Sequence, residues 1–516
     1  MKRLRLALPL IVLALAAQPA IAGDTSSKII DRYKKASGGS ALKRIRTTFA
    51  SGSLKLADGS TGRFLYQTAG PDRIRTDIEA GSVKTSECYN GKSAWRMDQR
   101  GLRTLLGSEA KRLRLEALIA NSRLQDLARS RIVPQPPVKA SIDGRDANAI
   151  EVTRDDVRER LFFDAKTNLL IKQERERSEG VEELFYSDYR AVDGVMEPFA
   201  IRIKSGEAEV VIGVDRLEHN RTLEESAFRY PKVEGERPLP DLEALMKTII
   251  ANQEKVEELF DRYTFREIQT ERKQDGKGQM KDGDSKIYEI TPAHTTPVRR
   301  LMSVNGKELS PSEREKEDHR VQKAVEDLVK RHEEGKEKEE KKQQKREEQS
   351  KAGDKKAEGA DDDDEISLLD FLRISEITSV RREMFRGHEV IAFDFEPRKN
   401  FKPKNRGENL VSKLAGTMWV DEDAKQIARA EARLTDSFKI GGGLLASVSP
   451  STAIVIEQEK IGNEVWLPSY NEVNLSVRLF LLAKLKRNFV TRYSDYRKYQ
   501  IDDKYELAKP KEASKP

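Results

Sequence analysis

The chain has 516 residues, 95 basic and 88 acidic, and its net charge of +7 is small because the two signs nearly cancel. With 35% charged residues and no run of Lys and Arg interleaved with aromatics, it lacks both the electrostatic footprint and the stacking platform of a nucleic-acid binder. Cys88 is the sole cysteine, so no internal disulfide can form and packing alone must hold the interior, most simply in two or three domains.

Residues 1–22 read as a cleaved signal peptide. Lys2, Arg3 and Arg5 form a basic start, Leu6 to Ala17 an apolar run, and "AIA" before Gly23 a small-residue cleavage site. That run is well short of the ~20 residues a spanning helix needs, and no later stretch is long enough to cross a bilayer. No cysteine beside the cleavage site is available to carry a lipid. Cleavage removes three basic residues from +7 and leaves +4. The expectation is an exported, periplasmic, soluble chain.

"TSSKIIDRYKKASGGS" predicts an amphipathic helix, with Ile29, Ile30 and Tyr33 at helical spacing and Gly38-Gly39 as its stop. Period-two pairs follow at Leu54/Leu56, Phe64/Tyr66 and Ile74/Ile78, separated by Asp58-Gly59 and Gly70-Pro71 turns, as in antiparallel hairpins with one apolar face. In "YNGKSAWRMDQRG", Asn90-Gly91 predicts a two-residue turn in which both residues take positive φ. Trp95 and Met97 then share one side of the next strand, and Trp95 is expected either in ordinary core or lining a cavity. "GSEAKRLRLEALIANSRLQDLARSRIV" changes to helical period, with Ala110, Leu113, Ala117, Leu118, Leu124 and Leu127 on one stripe. Strand patterns resume from "ANAIEVTR" to "EPFAIRIKSGEAEVVIGV", closing a first domain over 24–235. Pro238 and Pro240 mark a linker, 236–241.

A second β-rich domain, 242–505, opens on the helical "DLEALMKTIIANQEKVEELFDRY". It is interrupted by a charged insertion, 312–365, with 20 acidic and 15 basic residues and no aromatic. So little apolar surface predicts an exposed helix followed by a disordered hinge at 353–365. Residues 506–516 read as a disordered tail. An internal echo links "LFFDAKTNLLIKQERER" (161–177) with "MWVDEDAKQIARAEARL" (418–434), and later "VDGVMEP" with "IGNEVWLP". "YSDYR" occurs at 186 and 493 on opposite sides of that second match and is taken as coincidence.

No catalytic, metal or cofactor motif is present. His219, His294, His319, His332 and His388 are dispersed, and "HEEGK" and "GHEVI" lack the second histidine of a zinc helix. "GGGLL" at 441–445 lacks phosphate-loop spacing. Asp361 to Asp364 lack the glycine and spaced ligands of a calcium loop. Cys88 reads as a buried structural thiol. The expectation is a non-enzyme without cofactor.

In order, the first helix, the hairpins, "GPDRIRTDI", "YNGKSAWRMDQRG", the covering helix and a closing "SAFRYPKVEG" resemble the LolA family of periplasmic lipoprotein carriers over residues 25–235. That family includes LolB- and RseB-type folds, and over 240–510 the resemblance rests on the echo. It implies an α+β, mainly antiparallel architecture of two open half-barrels, each covered by helices. The ligand would be a lipid or acylated lipoprotein held in an apolar hollow. Leu54, Leu56, Phe64, Tyr66, Ile74, Trp95 and Met97 are the candidate lining residues. The alternative implied is an RseB-like stress sensor or scaffold that holds an envelope protein partner through 312–365.

Overall fold

A computed structural model describes residues 24–177, 180–232, 237–260, 262–274, 280–291, 297–327, 330, 368–440, 446–450, 452–462, 464–479 and 483–498. The expected signal peptide, hinge and C-terminal tail lie outside them. The described chain is mainly antiparallel β with few helices, in two large sheets that do not close into barrels. It divides into two compact units. The first holds the residues up to Ala94 together with Leu105–Arg229, and the second holds Trp95–Thr104 with the residues from Tyr230 onward.

In the first unit, helix α1 (Ser26–Ala36) starts at Thr25, whose hydroxyl accepts from the Lys28 N–H, and buries Ile29 and Ile30. Gly38, at φ 135°, ends it. Strands β1 (Thr47–Leu56), β2 (Thr61–Ala69), β3 (Arg73–Ala80) and β4 (Val83–Tyr89) form an antiparallel meander. The turn after β4 is not the expected one. Only Gly91 takes positive φ, while the Asn90 side chain accepts from the Lys92 and Ser93 N–H groups, so a side chain does the work of a second left-handed residue. The hairpin β5 (Ala94–Asp98) and β6 (Gly101–Leu105), whose residues Trp95–Thr104 group with the second unit, precedes helix α2 (Gly107–Ser122) in the chain. That helix ends sooner than its apolar stripe: Arg123 and Leu124 take φ of 49° and 60°, which leaves Leu124 and Leu127 beyond it. The short strands β7 (Val133–Pro134) and β8 (Val138–Ile142) come next. They lead into β9 (Arg145–Arg154), β10 (Val157–Asp164), β11 (Leu170–Arg177), β12 (Gly180–Val192), β13 (Val195–Ser205) and β14 (Ala208–His219), a second meander in which β14 returns to pair with β1.

Where β1 meets β14 the register shifts between Ser51 and Gly52, bending the sheet. A Cβ on Gly52 would lie 1.9 Å from the Gly213 carbonyl oxygen, so only glycine permits this approach. Gly52→Ala is expected to lower stability by at least about 1–3 kcal/mol, read as a lower urea midpoint. An unchanged midpoint would show that the bend tolerates a side chain.

The second unit repeats this topology. Helix α3 (Leu242–Phe260) leads into β15 (Tyr263–Gln274), β16 (Met280–Thr291), β17 (Val298–Val304) and β18 (Lys307–Glu308). A helix at 311–327, here α4, opens with Ser310 and Glu313 bonded reciprocally as a capping box. This is the first part of the charged insertion, and it is docked rather than free. Glu317 accepts the Leu301 N–H at 2.7 Å and Arg320 donates to the Arg299 carbonyl, so side chains satisfy the backbone of β17 where the short β18 does not reach it. Helix α5 (Leu368–Ile374), β19 (Ser375–Phe385), β20 (His388–Pro397), helix α6 (Arg406–Val411), β21 (Leu414–Asp421) and β22 (Gln426–Leu434) follow. After the short β23 (Phe438–Ile440) and β24 (Ala446–Val448) come β25 (Ala453–Ile461), β26 (Val465–Leu479) and β27 (Ala483–Lys498), and β27 pairs with β15.

The sequence echo falls on equivalent strands. Counted back from the last strand, β10–β11 and β21–β22 occupy the same places, and so do the β12–β13 and β25–β26 hairpins. Leu161 pairs with Gln173 as Met418 pairs with Ala430, and both pairs of strands carry a bulge at matching positions, Phe162/Phe163 and Trp419/Val420. Asp164 caps its turn by accepting from the Lys166 and Thr167 N–H groups, and Asp421 does the same with Asp423 and Ala424. "YSDYR" lies on β12 in one unit and on β27 in the other, which are not equivalent.

Candidate functional site

The two interiors differ. In the second unit the interior is occupied, with Phe371, Phe393 and Phe395 buried beside Met246 and Met418 and the Phe371 and Phe395 rings meeting at 4.8 Å. Its open space is a more exposed groove lined by Leu242, Glu243, Lys247, Leu372, Arg373 and Ile377. The first unit keeps a cavity of about 250 Å³. Tyr33 of α1 and Ile119 and Ala120 of α2 line it on the helical side. Strand residues Ala50, Ile78, Ile201, Ile212 and Val214 supply apolar wall opposite. The volume lies just below the ~300–1,000 Å³ typical of small-molecule sites.

Of the seven residues expected to line a hollow, Phe64 and Tyr66 do so. Leu54 and Leu56 pack beside them, in the cluster that holds Phe64, Ile212 and Val214. Ile74 is 1% exposed in a neighbouring cluster with Tyr89, Leu105 and Leu113. Trp95 and Met97 are not brought to this cavity. Their hairpin belongs to the second unit, where the fully buried Trp95 ring lies 6.0 Å from that of Tyr230. There Thr104 donates to Glu383 at 2.8 Å and accepts from Arg381 at 2.9 Å.

Sequence reasoning missed the polar part of the wall. Helix α2 carries Glu116 and its C-cap Arg123, two turns apart, into the interior. Glu116, 7% exposed, meets Arg175 of β11 at 2.9 Å and Arg177 at 3.5 Å. Arg123 meets Glu197 of β13 at 2.6 Å and donates to the Thr48 hydroxyl at 3.1 Å, while His219 bonds Glu197 at 2.8 Å. Two ion pairs of opposite polarity therefore clasp the helix to the sheet. Behind the first, Gln173 donates to Glu159 and accepts from the Tyr186 hydroxyl at 2.8 Å, and Arg177 also meets Glu182 at 2.8 Å.

Burial raises the Glu116 carboxyl despite Arg175 and Arg177. Burial likewise pulls the Glu197 carboxyl upward, but Arg123 and the His219 bond together hold it below its ordinary value. Glu159 is driven to about 7 by burial, against the opposing pull of Arg175. An acid with a raised folded pKa keeps protons that the unfolded chain has lost, so its contribution to stability falls as pH rises from about 4.5 through 7. Glu159→Gln is therefore expected to be more stable than the parent by about 1–3 kcal/mol near pH 8, the gain shrinking toward zero near pH 5. Urea melts at the two pH values check this, and a gain independent of pH would refute it.

Two signals for this polar set were available. Glu116 is a lone charge within the apolar run "LEALIA", and "LIKQERER" alternates without an apolar face. The second reads as an exposed strand from pattern alone, yet Gln173 is 4% exposed. The motif arginines have local roles: Arg75 pairs with Asp77 at 2.9 Å and donates to the Ala227 carbonyl, and Arg73 lies 5.1 Å over the Phe228 ring. The closing segment is thus tied back to β3. Cys88 is fully buried and burial raises its thiol pKa, as befits a structural thiol.

Fold and cavity together define the class: a protein of two similar open antiparallel sheets, the first with a helix-covered apolar cavity. No family model matches the chain, and no curated protein matches it. Among solved structures it is similar to a LolA superfamily protein from Nitrosomonas europaea, with 16% identity over 40% of this chain and 99% of that one and a TM-score of 0.29. It is similar to MucB in the Pseudomonas aeruginosa MucA/MucB complex, with 8% identity over 92% of this chain and 99% of that one and a TM-score of 0.16. It is also similar to LprF from Mycobacterium bovis, with 9% identity over 39% of this chain and 97% of that one and a TM-score of 0.17.

Proposed function

We propose that this is an exported protein that binds or carries the acyl portion of a lipid or lipoprotein in the cavity of its first unit. The observation that carries this reading is the cavity itself, open space between a bent sheet and two helices where the equivalent region of the second unit is packed with phenylalanine. Taking a sixteen-carbon chain out of water is worth roughly 12 kcal/mol at about 0.8 kcal/mol per methylene, so even partial burial in this cavity holds a chain firmly. Four tyrosines, Tyr33, Tyr66, Tyr186 and Tyr189, add large apolar surface with polar tips, which suits an amphipathic ligand. Export is supported by the signal-like character of residues 1–22.

Native mass spectrometry of the full chain purified from a bacterial envelope tests the proposal. Bound acyl lipid is the expected result. Lipid-free, folded protein that also fails to bind a fluorescent acyl probe would refute it.

A further inference from the structure

The polar side chains around the cavity are not a requirement of the fold, because the second unit builds the same strands without them. By the register that aligns the two units, Glu159, Gln173, Arg175 and Arg177 correspond to Gly416, Ala430, Ala432 and Leu434. Buried ion pairs add little or nothing to stability compared with apolar packing. The charges at these strand positions, present in the unit with a cavity and absent at the equivalent positions of the unit whose interior is filled, therefore call for a role at the cavity.

Its charge count limits what that role can be. Three guanidiniums, Arg123, Arg175 and Arg177, face four carboxylates, Glu116, Glu159, Glu182 and Glu197. The carboxylates thus outnumber the guanidiniums by one, and His219 is bonded to Glu197. With Glu159 neutral, guanidiniums and carboxylates match at three each. No guanidinium in the wall is free to neutralise an incoming anion. An open donor is present, however. Arg175 lines the cavity, and its buried Nε–H has no hydrogen-bond acceptor, the Glu159 carboxylate standing 3.9 Å away. A neutral carbonyl oxygen satisfies such a donor without bringing in charge, whereas a carboxylate or phosphate must give up its hydration with no surplus cation to compensate.

We infer that the cavity selects acyl chains headed by a neutral ester or amide carbonyl over chains ending in a free carboxylate or phosphate, with Glu116 and Glu197 as the residues that set this preference. The inference rests on the acyl-binding reading above and deepens it. Glu116 and Glu197 act by occupying the arginines that would otherwise receive an anion.

The test measures displacement of a fluorescent acyl probe from the full chain by 1-monopalmitoylglycerol, palmitate and palmitoyl lysophosphatidate, near pH 8. The neutral ligand is expected to bind at least about tenfold more tightly than either anion. In Glu116→Gln, which releases Arg175 and Arg177 from one carboxylate at nearly constant volume, the ratio of palmitate to monopalmitoylglycerol affinity is expected to rise by about tenfold. Glu197→Gln tests the other clasp by the same ratio, so misfolding of one variant does not end the experiment. Equal binding of neutral and anionic ligands by the parent protein would overturn the inference while leaving the acyl-binding reading intact. An unchanged ratio in both folded variants would overturn the assignment of Glu116 and Glu197. If no ligand displaces the probe and the probe itself does not bind, both readings fall together.

Discussion

Arg175→Met is expected to destabilise the first unit by about 3–5 kcal/mol, the usual consequence of removing one partner from a buried ion pair. The methionine fills much of the same space, so the loss comes from electrostatics more than from a void. Glu116 and Glu159, 7% and 3% exposed, would face only Arg177 across the interior. All three tryptophans, Trp95, Trp419 and Trp466, belong to the second unit. Tryptophan emission therefore follows the wrong unit, and hydrogen exchange at the β10 and β11 amides is the measurement of choice. Replacing Glu116 and Glu159 by leucine in the same variant should restore most of the protection, since an apolar set in place of a buried ion-pair network is often neutral or stabilising. Full protection in Arg175→Met alone would mean that the carboxylates find water or protonate at little cost.

Ala120→Phe is expected to reduce acyl binding by at least about tenfold while leaving the fold intact, a loss of the size that one misplaced methylene causes in a fitted pocket. Ala120 lies on α2 and lines the cavity beside the cluster that holds Ile74, so a ring there takes up cavity space. Because the cavity holds only about 250 Å³, a single ring removes a large share of it. The same replacement at Val83, 39% exposed and outside the cavity, serves as the control and should leave binding unchanged. Equal binding by Ala120→Phe and its parent would place the ligand elsewhere.

Much of the architecture was legible in the residues. The first helix, the period-two hairpins, the covering helix and the helical start of the charged insertion follow from spacing, caps and turn chemistry, all of which act over a few residues, whereas the docking of that start on β17 does not. The echo between 161–177 and 418–434 was legible for the same reason: a bulged strand, an aspartate-capped turn and a return strand leave a local imprint.

The candidate site was legible only in part. Alternation identified Phe64 and Tyr66 as inward-facing, because in a half-buried sheet one face takes the apolar side chains. Alternation does not say which inward residue meets a cavity and which meets a neighbour, so Ile74 and Trp95 carried the same signal to different destinations. The five residues of the two clasps, Glu116, Arg123, Arg175, Glu197 and His219, come from one helix and three strands that are far apart in the chain. Apart from Glu116 in its apolar run, each one alone looks like an ordinary surface charge. Its burial becomes affordable only when its partner arrives from another element. The sequence by itself thus determined the elements, their order and the likeness of the two units. Only the tertiary structure decided that one interior is filled with phenylalanine while the other stays open between paired charges, because solvation and pairing depend on what the assembled fold brings within a few ångströms.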